Sequence, residues 1–126
     1  LVGGLARANG AFDSYPIERI AVRLATAALE DDVFFRQCRD RVVATREWST
    51  DRMLELGFNV LPSAANFVFA THPQMAAKEI FEGLRARDVL VRYFDQPRID
   101  AYLRITVGTD DEMKALIAAM TELVKD

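Results

Sequence analysis

The stretch "YLRITVGT", residues 102–109, decides how the rest of the chain is read. Leu103, Ile105 and Val107 alternate with Tyr102, Arg104 and Thr106, the two-residue period of a half-buried strand. Gly108 breaks the pattern, and Thr109 with Glu112 supplies the T-x-x-E signature of a helix start. Beyond it Met113, Leu116, Ile117, Met120, Leu123 and Val124 recur at spacings of three and four, the most regular amphipathic pattern in the sequence. A strand therefore feeds a closing helix, and an arginine stands mid-strand between a tyrosine and a threonine.

Reading back toward the N-terminus, "DQPRID" is a loop and "VLVRYFD" a strand. Pro73 opens a helix to about Arg87, with Ala77, Ile80, Phe81 and Leu84 on one face. "FNVLP" and "ANFVFATH" are short strands rich in aromatic and β-branched residues. Before Gly57, a long helix from about Val33 to Leu56 carries Phe35, Cys38, Val42, Met53 and Leu56 as its apolar positions. Its length suits a spine between lobes. Residues 17–30, "IERIAVRLATAALE", form an alanine-rich helix entered at Pro16, and Asp31 and Asp32 mark a cap or short break. The expected class is α+β: two N-terminal helices, one of them a long spine helix, then a small mostly antiparallel sheet with two helices packed on one face.

The totals narrow the function classes. The chain has 126 residues, the size of one ordinary domain, with 51% hydrophobic and 28% charged residues. Its net charge of −3 comes with no cationic cluster, which argues against nucleic acid. No apolar run approaches the roughly 20 residues that span a bilayer, so no membrane segment is expected. Cys38 is the single cysteine, which excludes an internal disulfide and suits a reducing, cytoplasmic setting. One cysteine and one histidine cannot make a structural zinc site. The sequence opens at Leu1 with "LVGGLARANGAFDSYP", too mixed for a signal peptide, and reads as an interior cut through a longer protein.

Arg92 and Arg104 are the candidate binding residues. Each lies in a strand among apolar neighbours, and the loop joining the strands is short enough to make them adjacent. A guanidinium presents a planar set of donors that matches a carboxylate or phosphate, so two at one sheet edge would suit a ligand with two anionic groups. The competing reading, an arginine on the solvated face of a strand, is the commoner one and pattern alone leaves it open. A non-catalytic α+β module binding a small anion or a partner chain also fits the layout.

The words "SYPIERIA", "LPSAANFVFA", "LRARDVLVRYFD" and "YLRITVGTDDE", in this order, resemble the C-terminal part of the histidinol-phosphate aminotransferase family, which belongs to the fold-type I pyridoxal-phosphate superfamily. The resemblance runs from about Leu1 to Val124. It implies that Arg104 grips a substrate α-carboxylate and that Arg92 reaches the phosphate end of the substrate or its partner. It places Asn66 near the domain hinge as a further candidate substrate-binding residue. Tyr15 falls in a segment that in this family approaches the neighbouring subunit's active site, although a helix-entry aromatic explains it equally well. Residues 1–56 would be a helical segment leading to a missing large pyridoxal-phosphate domain, and 57–126 the small domain. The parent would be a homodimer moving an amino group between glutamate and a phosphorylated imidazole alcohol, with the small lobe closing over the substrate. Related aromatic aminotransferases and a threonine-phosphate decarboxylase share much of the motif set.

The same resemblance implies what this chain does without. Pyridoxal phosphate is held by a Schiff-base lysine and tuned by an acidic partner. The family's lysine precedes the point where this sequence starts, and Lys78, Lys114 and Lys125 read as solvated helix residues. The fragment alone is therefore expected to be inactive and to bind no cofactor. His72 reads as a loop histidine, Cys38 as a small packed hydrophobe and Trp48 as a helix anchor or a partly exposed aromatic. Asp110, Asp111 and Glu112 suit the helix dipole without any ligand. Apolar N-terminal helix faces lead us to expect self-association of the isolated chain.

Overall fold

The computed structural model describes residues 18–125 and divides into two compact units, residues 1–37 and 38–126. Tyr15 lies outside the described residues.

In the first unit, helix α1 (Arg19–Glu30) leaves no residue buried, with Ile20, Leu24 and Leu29 all well exposed. Asp31 separates it from helix α2 (Asp32–Glu55), as its sequence position suggests. Its backbone N–H donates to the Ala27 carbonyl at 3.1 Å, closing α1, while its carboxylate accepts from the Phe34 N–H at 3.0 Å, capping α2. One aspartate thus ends one helix and starts the next.

The second unit is built on a four-stranded antiparallel sheet in the order β1 (Asn59–Val60), β2 (Phe67–Thr71), β4 (Leu103–Thr106), β3 (Arg92–Tyr93). The alternation in residues 102–107 is realised as read. Leu103, Ile105 and Val107 are buried, whereas Arg104 is half-buried and Thr106 exposed. On β2, Val68 and Ala70 share the buried face with them. Helices α3 (Ala77–Arg85) and α4 (Asp110–Lys125) cover that face with Ile80, Leu84, Met113, Leu116 and Met120. From α2, Met53 completes the core, at the end of a buried stripe formed with Thr45 and Ser49. Each fully buried aliphatic side chain contributes about 1.5–3 kcal/mol.

Two helix ends shape the layer. After α2, Gly57 takes φ +86° while its N–H donates to Leu54 O at 3.0 Å and the Phe58 N–H to Met53 O at 3.0 Å. This paired closure needs a left-handed residue, and glycine adopts it without Cβ strain. The same closure ends α3, with Asp88 at φ 59° and the Val89 N–H bonded to Leu84 O at 3.0 Å. Aspartate is among the few side chains that tolerate that conformation.

Four expectations need correction. "VLVRYFD" gives only two paired residues, because Asp88 and Val89 are used to close α3 and Leu90 is 81% exposed. Pro73 does not open α3. His72 and Met75 pair as a β-bridge that closes a tight turn through Pro73 and Gln74, and the helix begins only at Ala77. Cys38 is exposed rather than packed, since it lies two turns before Thr45, where the buried stripe of α2 starts. Phe35, read as an apolar-face residue, is likewise 58% exposed.

The expected start of α4 is present in full. The Thr109 N–H donates to the Glu112 carboxylate at 2.7 Å, the Thr109 hydroxyl does so at 2.9 Å, and the Glu112 N–H returns a bond to the hydroxyl at 3.4 Å. These donors, the backbone N–H foremost, hold the Glu112 carboxyl below its ordinary value of 4.5. A carboxyl depressed by folding stabilises the folded state above that ordinary value, and the contribution disappears as pH falls through the lower folded-state value. Urea unfolding across a pH series should show wild type more stable than Glu112→Gln at neutral pH, with the gap closing in acid. Thr109→Ala should cost about 1 kcal/mol.

Candidate anion-binding face

The sheet face turned away from the helices carries the chemistry. Arg104 on the central strand β4 is the direct register partner of Arg92 on one side and of Phe69 on the other. The period of two puts Phe67 and Phe69 of β2, Arg104 and Thr106 of β4 and Arg92 of β3 on one face. Aromatic rings surround the arginines. Phe67 and Phe69 meet edge-on at 6.0 Å, and Phe69 meets Tyr102 at 6.4 Å. The Arg104 guanidinium carbon lies 5.6 Å from the centre of Phe67 and 5.8 Å from that of Phe94, and the Arg92 carbon lies 5.3 Å from Phe94.

This arrangement answers why an arginine is tolerated mid-strand. Its aliphatic stem and guanidinium plane rest on rings, whose negative faces attract the cation. No carboxylate of the described residues pairs with it, and its Nε is buried without a hydrogen-bond partner. Like charges on directly paired strand positions repel, and no carboxylate of the described residues pairs with either cation. An anion with oxygens in the plane of the guanidinium supplies what is missing.

The other sequence candidates are placed as follows. Asn66 is exposed one residue before β2, its carbonyl accepting from the Val107 N–H at 2.8 Å. It precedes Phe69, the partner of Arg104, by three residues, about 10 Å along the strand. The structure thus sets Asn66 at the far end of the strand pair from the two arginines. The loop holding Asn66 is pinned by Arg46, whose Nη1 donates to Ala65 O at 2.9 Å, and by Ser63, whose hydroxyl donates to Phe67 O at 2.6 Å. His72 is buried against the Phe58 ring at 4.9 Å, and its Nδ1 accepts from the Gln74 N–H at 3.3 Å, a structural role. Trp48 is 38% exposed and lines, with Arg41, Thr45, Asp110 and Lys114, a groove of about 310 Å³ on α2 and α4. Lys78, Lys114 and Lys125 are exposed on helices, with Lys114 Nζ 3.3 Å from Asp111.

Sequence reasoning missed Phe94, Phe67 and Arg46. The signal for Phe94 was available: it stands two residues after Arg92 and so shares its face. Arg46 gave none, because a surface-helix arginine and one bonded to a distant carbonyl read alike.

Among the described residues no group of histidine, cysteine, aspartate or glutamate is arranged to hold a metal ion, and no helix is long and apolar enough to cross a membrane.

An antiparallel sheet covered on one face by helices, with Arg92 and Arg104 paired on the other, defines a small α+β lobe. The family is reached by comparison: the model of "Aminotransferase class I and II" matches residues 5–120, and the chain belongs to that family. It is 50% identical over 123 residues to histidinol-phosphate aminotransferase 2 of Dechloromonas aromatica, covering 98% of this chain and 35% of that protein. It is also 50% identical over 125 residues to histidinol-phosphate aminotransferase of Marinomonas sp., again 98% and 35%. The solved structure of histidinol-phosphate aminotransferase from Sinorhizobium meliloti, in complex with pyridoxal-5'-phosphate, superposes with a TM-score of 0.84 at 27% identity, covering 97% of this chain and 34% of that one. The chain thus spans about 35% of the length of the curated relatives it matches.

Proposed function

We propose that this chain is the substrate-clamping C-terminal lobe of a pyridoxal-phosphate aminotransferase that transfers an amino group between histidinol phosphate and 2-oxoglutarate. The reading rests on one observation, the pairing of Arg92 with Arg104 on a sheet face where neither meets a carboxylate of the described residues. Support for the substrate comes from the names of the relatives.

In this reading Arg104, fixed on the central strand, orients the α-carboxylate of glutamate, and Arg92 reaches the phosphate end of histidinol phosphate or the distal carboxylate of glutamate. Phe67 and Phe94 flank the half-buried Arg104, and the lower local dielectric there strengthens a charged hydrogen bond. Asn66 sits near the hinge, and Tyr15 serves the neighbouring subunit of a homodimer. Residues 1–56 lead to the large domain and 57–126 form the small one. The enzyme works in the cytoplasm.

The residues of this chain do not fit pyridoxal phosphate itself. The cofactor needs a lysine in a sheltered polar site with an acidic partner for its ring nitrogen. Lys78, Lys114 and Lys125 are solvent-exposed helix residues, and Lys114 is engaged by Asp111. We therefore assign the cofactor to a large domain outside residues 1–126, and no chemical step is routed through this lobe.

Two measurements test the reading. Given 2-oxoglutarate as acceptor, the complete enzyme should form glutamate fastest with histidinol phosphate as amino donor, ahead of aromatic amino acids, and should not decarboxylate O-phosphothreonine. A preference for either alternative would reassign the substrate. Titrating the 126-residue chain with pyridoxal phosphate should give no lysine-bound absorbance beyond that of a nonspecific lysine control. A saturable one-to-one complex would place the reaction centre in this chain and overturn the assignment.

A further inference from the structure

We infer that Phe94 is a positioning residue that holds Arg92 and Arg104 side by side, and that this shared ring makes the face selective for ligands with two anionic groups. The inference rests on the reading of the arginine pair as an anion clamp. Phe94 directly follows β3, two residues after Arg92, and its half-buried ring lies 5.3 Å from the Arg92 guanidinium carbon and 5.8 Å from that of Arg104. The two arginines are unequally supported. Arg104 has a second ring, Phe67, at 5.6 Å and sits on a strand paired on both sides. Arg92 is exposed, on a two-residue edge strand, and Phe94 is its one ring contact among the described residues.

A long side chain in that position would lose rotamer freedom on binding, and its charge is repelled by Arg104 across the strand pair. A ring shared by both guanidiniums offsets the repulsion through its quadrupole and fixes Arg92 in advance. Removing the ring should therefore leave single-anion binding at Arg104 nearly intact and weaken engagement of a second anion. A residue that merely filled space would affect both ligands alike.

The test compares 3-phosphonopropionate, carrying a phosphonate and a carboxylate, with propionate. Binding to the 126-residue chain is followed by NMR of the arginine Nε–H groups. Wild type should prefer the doubly charged probe by about tenfold or more, the gain from a second charged contact. Phe94→Leu, of similar bulk and without a ring, should reduce the preference to about threefold or less, and Phe94→Tyr should restore it. Arg104→Ala should abolish it. A preference lost in Arg104→Ala and kept in Phe94→Leu would overturn the role of Phe94 alone. A preference absent in wild type, or kept in Arg104→Ala, would overturn the clamp and the inference with it. In wild type without ligand, the Arg92 and Arg104 Nε–H protons should also be shifted upfield of those of exposed Arg19 and Arg23 by the ring current. Coincident shifts would overturn the stacking even if Phe94→Leu does not fold.

Discussion

Replacing Arg104 with alanine in the complete aminotransferase is expected to lower kcat/KM by about 100- to 1000-fold while leaving the lobe folded. A charged hydrogen bond contributes about 1.5–3 kcal/mol, and a guanidinium meeting a carboxylate side-on makes two. Little is lost from the fold, because Arg104 has no ion pair among the described residues and its removal relieves repulsion from Arg92. Lysine at 104 should recover only part of the rate, since an ammonium cannot reproduce the planar donor pair. Steady-state kinetics with both substrates, alongside urea unfolding, would separate the two quantities. A loss below about fivefold with a normal unfolding midpoint would remove Arg104 from substrate binding.

One residue earlier, the expected outcome is the reverse. Leu103→Ala should cost about 2–5 kcal/mol of stability, as its side chain is 0% exposed and the helices opposite cannot collapse into the space. Single domains have only about 5–15 kcal/mol in total, so thermal unfolding should begin roughly 10 °C lower or more. Any activity that survives should show an ordinary KM. Calorimetry of the variant checks this, and a shift of only a degree or two would mean that the core between β4 and the helices is looser than its burial indicates. Neighbouring residues on opposite faces of one strand are thus expected to divide stability from recognition.

The parts of the fold that were legible are those in which local pattern and tertiary burial agree. The alternation in 102–107, the T-x-x-E start of α4 and the Gly57 stop are each local signals with one physical meaning, and all three are realised. What misled was apolar content without periodicity. "VLVRYFD" is apolar enough for a strand, yet its first residues serve the end of α3, a tertiary demand that no window of sequence displays. Pro73 is a fair helix opener, but here it lies in the tight turn that the His72–Met75 bridge closes. At the site, Arg92 and Arg104 were legible as a pair because both lie in strands joined by one loop. Their direct register was not, since it depends on how many residues the loop takes up. Cys38 and Phe35 were misjudged because helical spacing tells which side a residue faces and not how far the neighbouring layer extends.

The two arginines are anchored with unequal firmness. Position 104 belongs to a strand hydrogen-bonded along both edges, whereas position 92 belongs to a two-residue outer strand bonded along one. Outer strands fray first, so the lobe resembles a vice with one fixed jaw and one yielding jaw. Under the proposed clamp, a shift of the β3 backbone that carries Arg92 and the Phe94 ring together would accommodate ligands of slightly different length without moving Arg104.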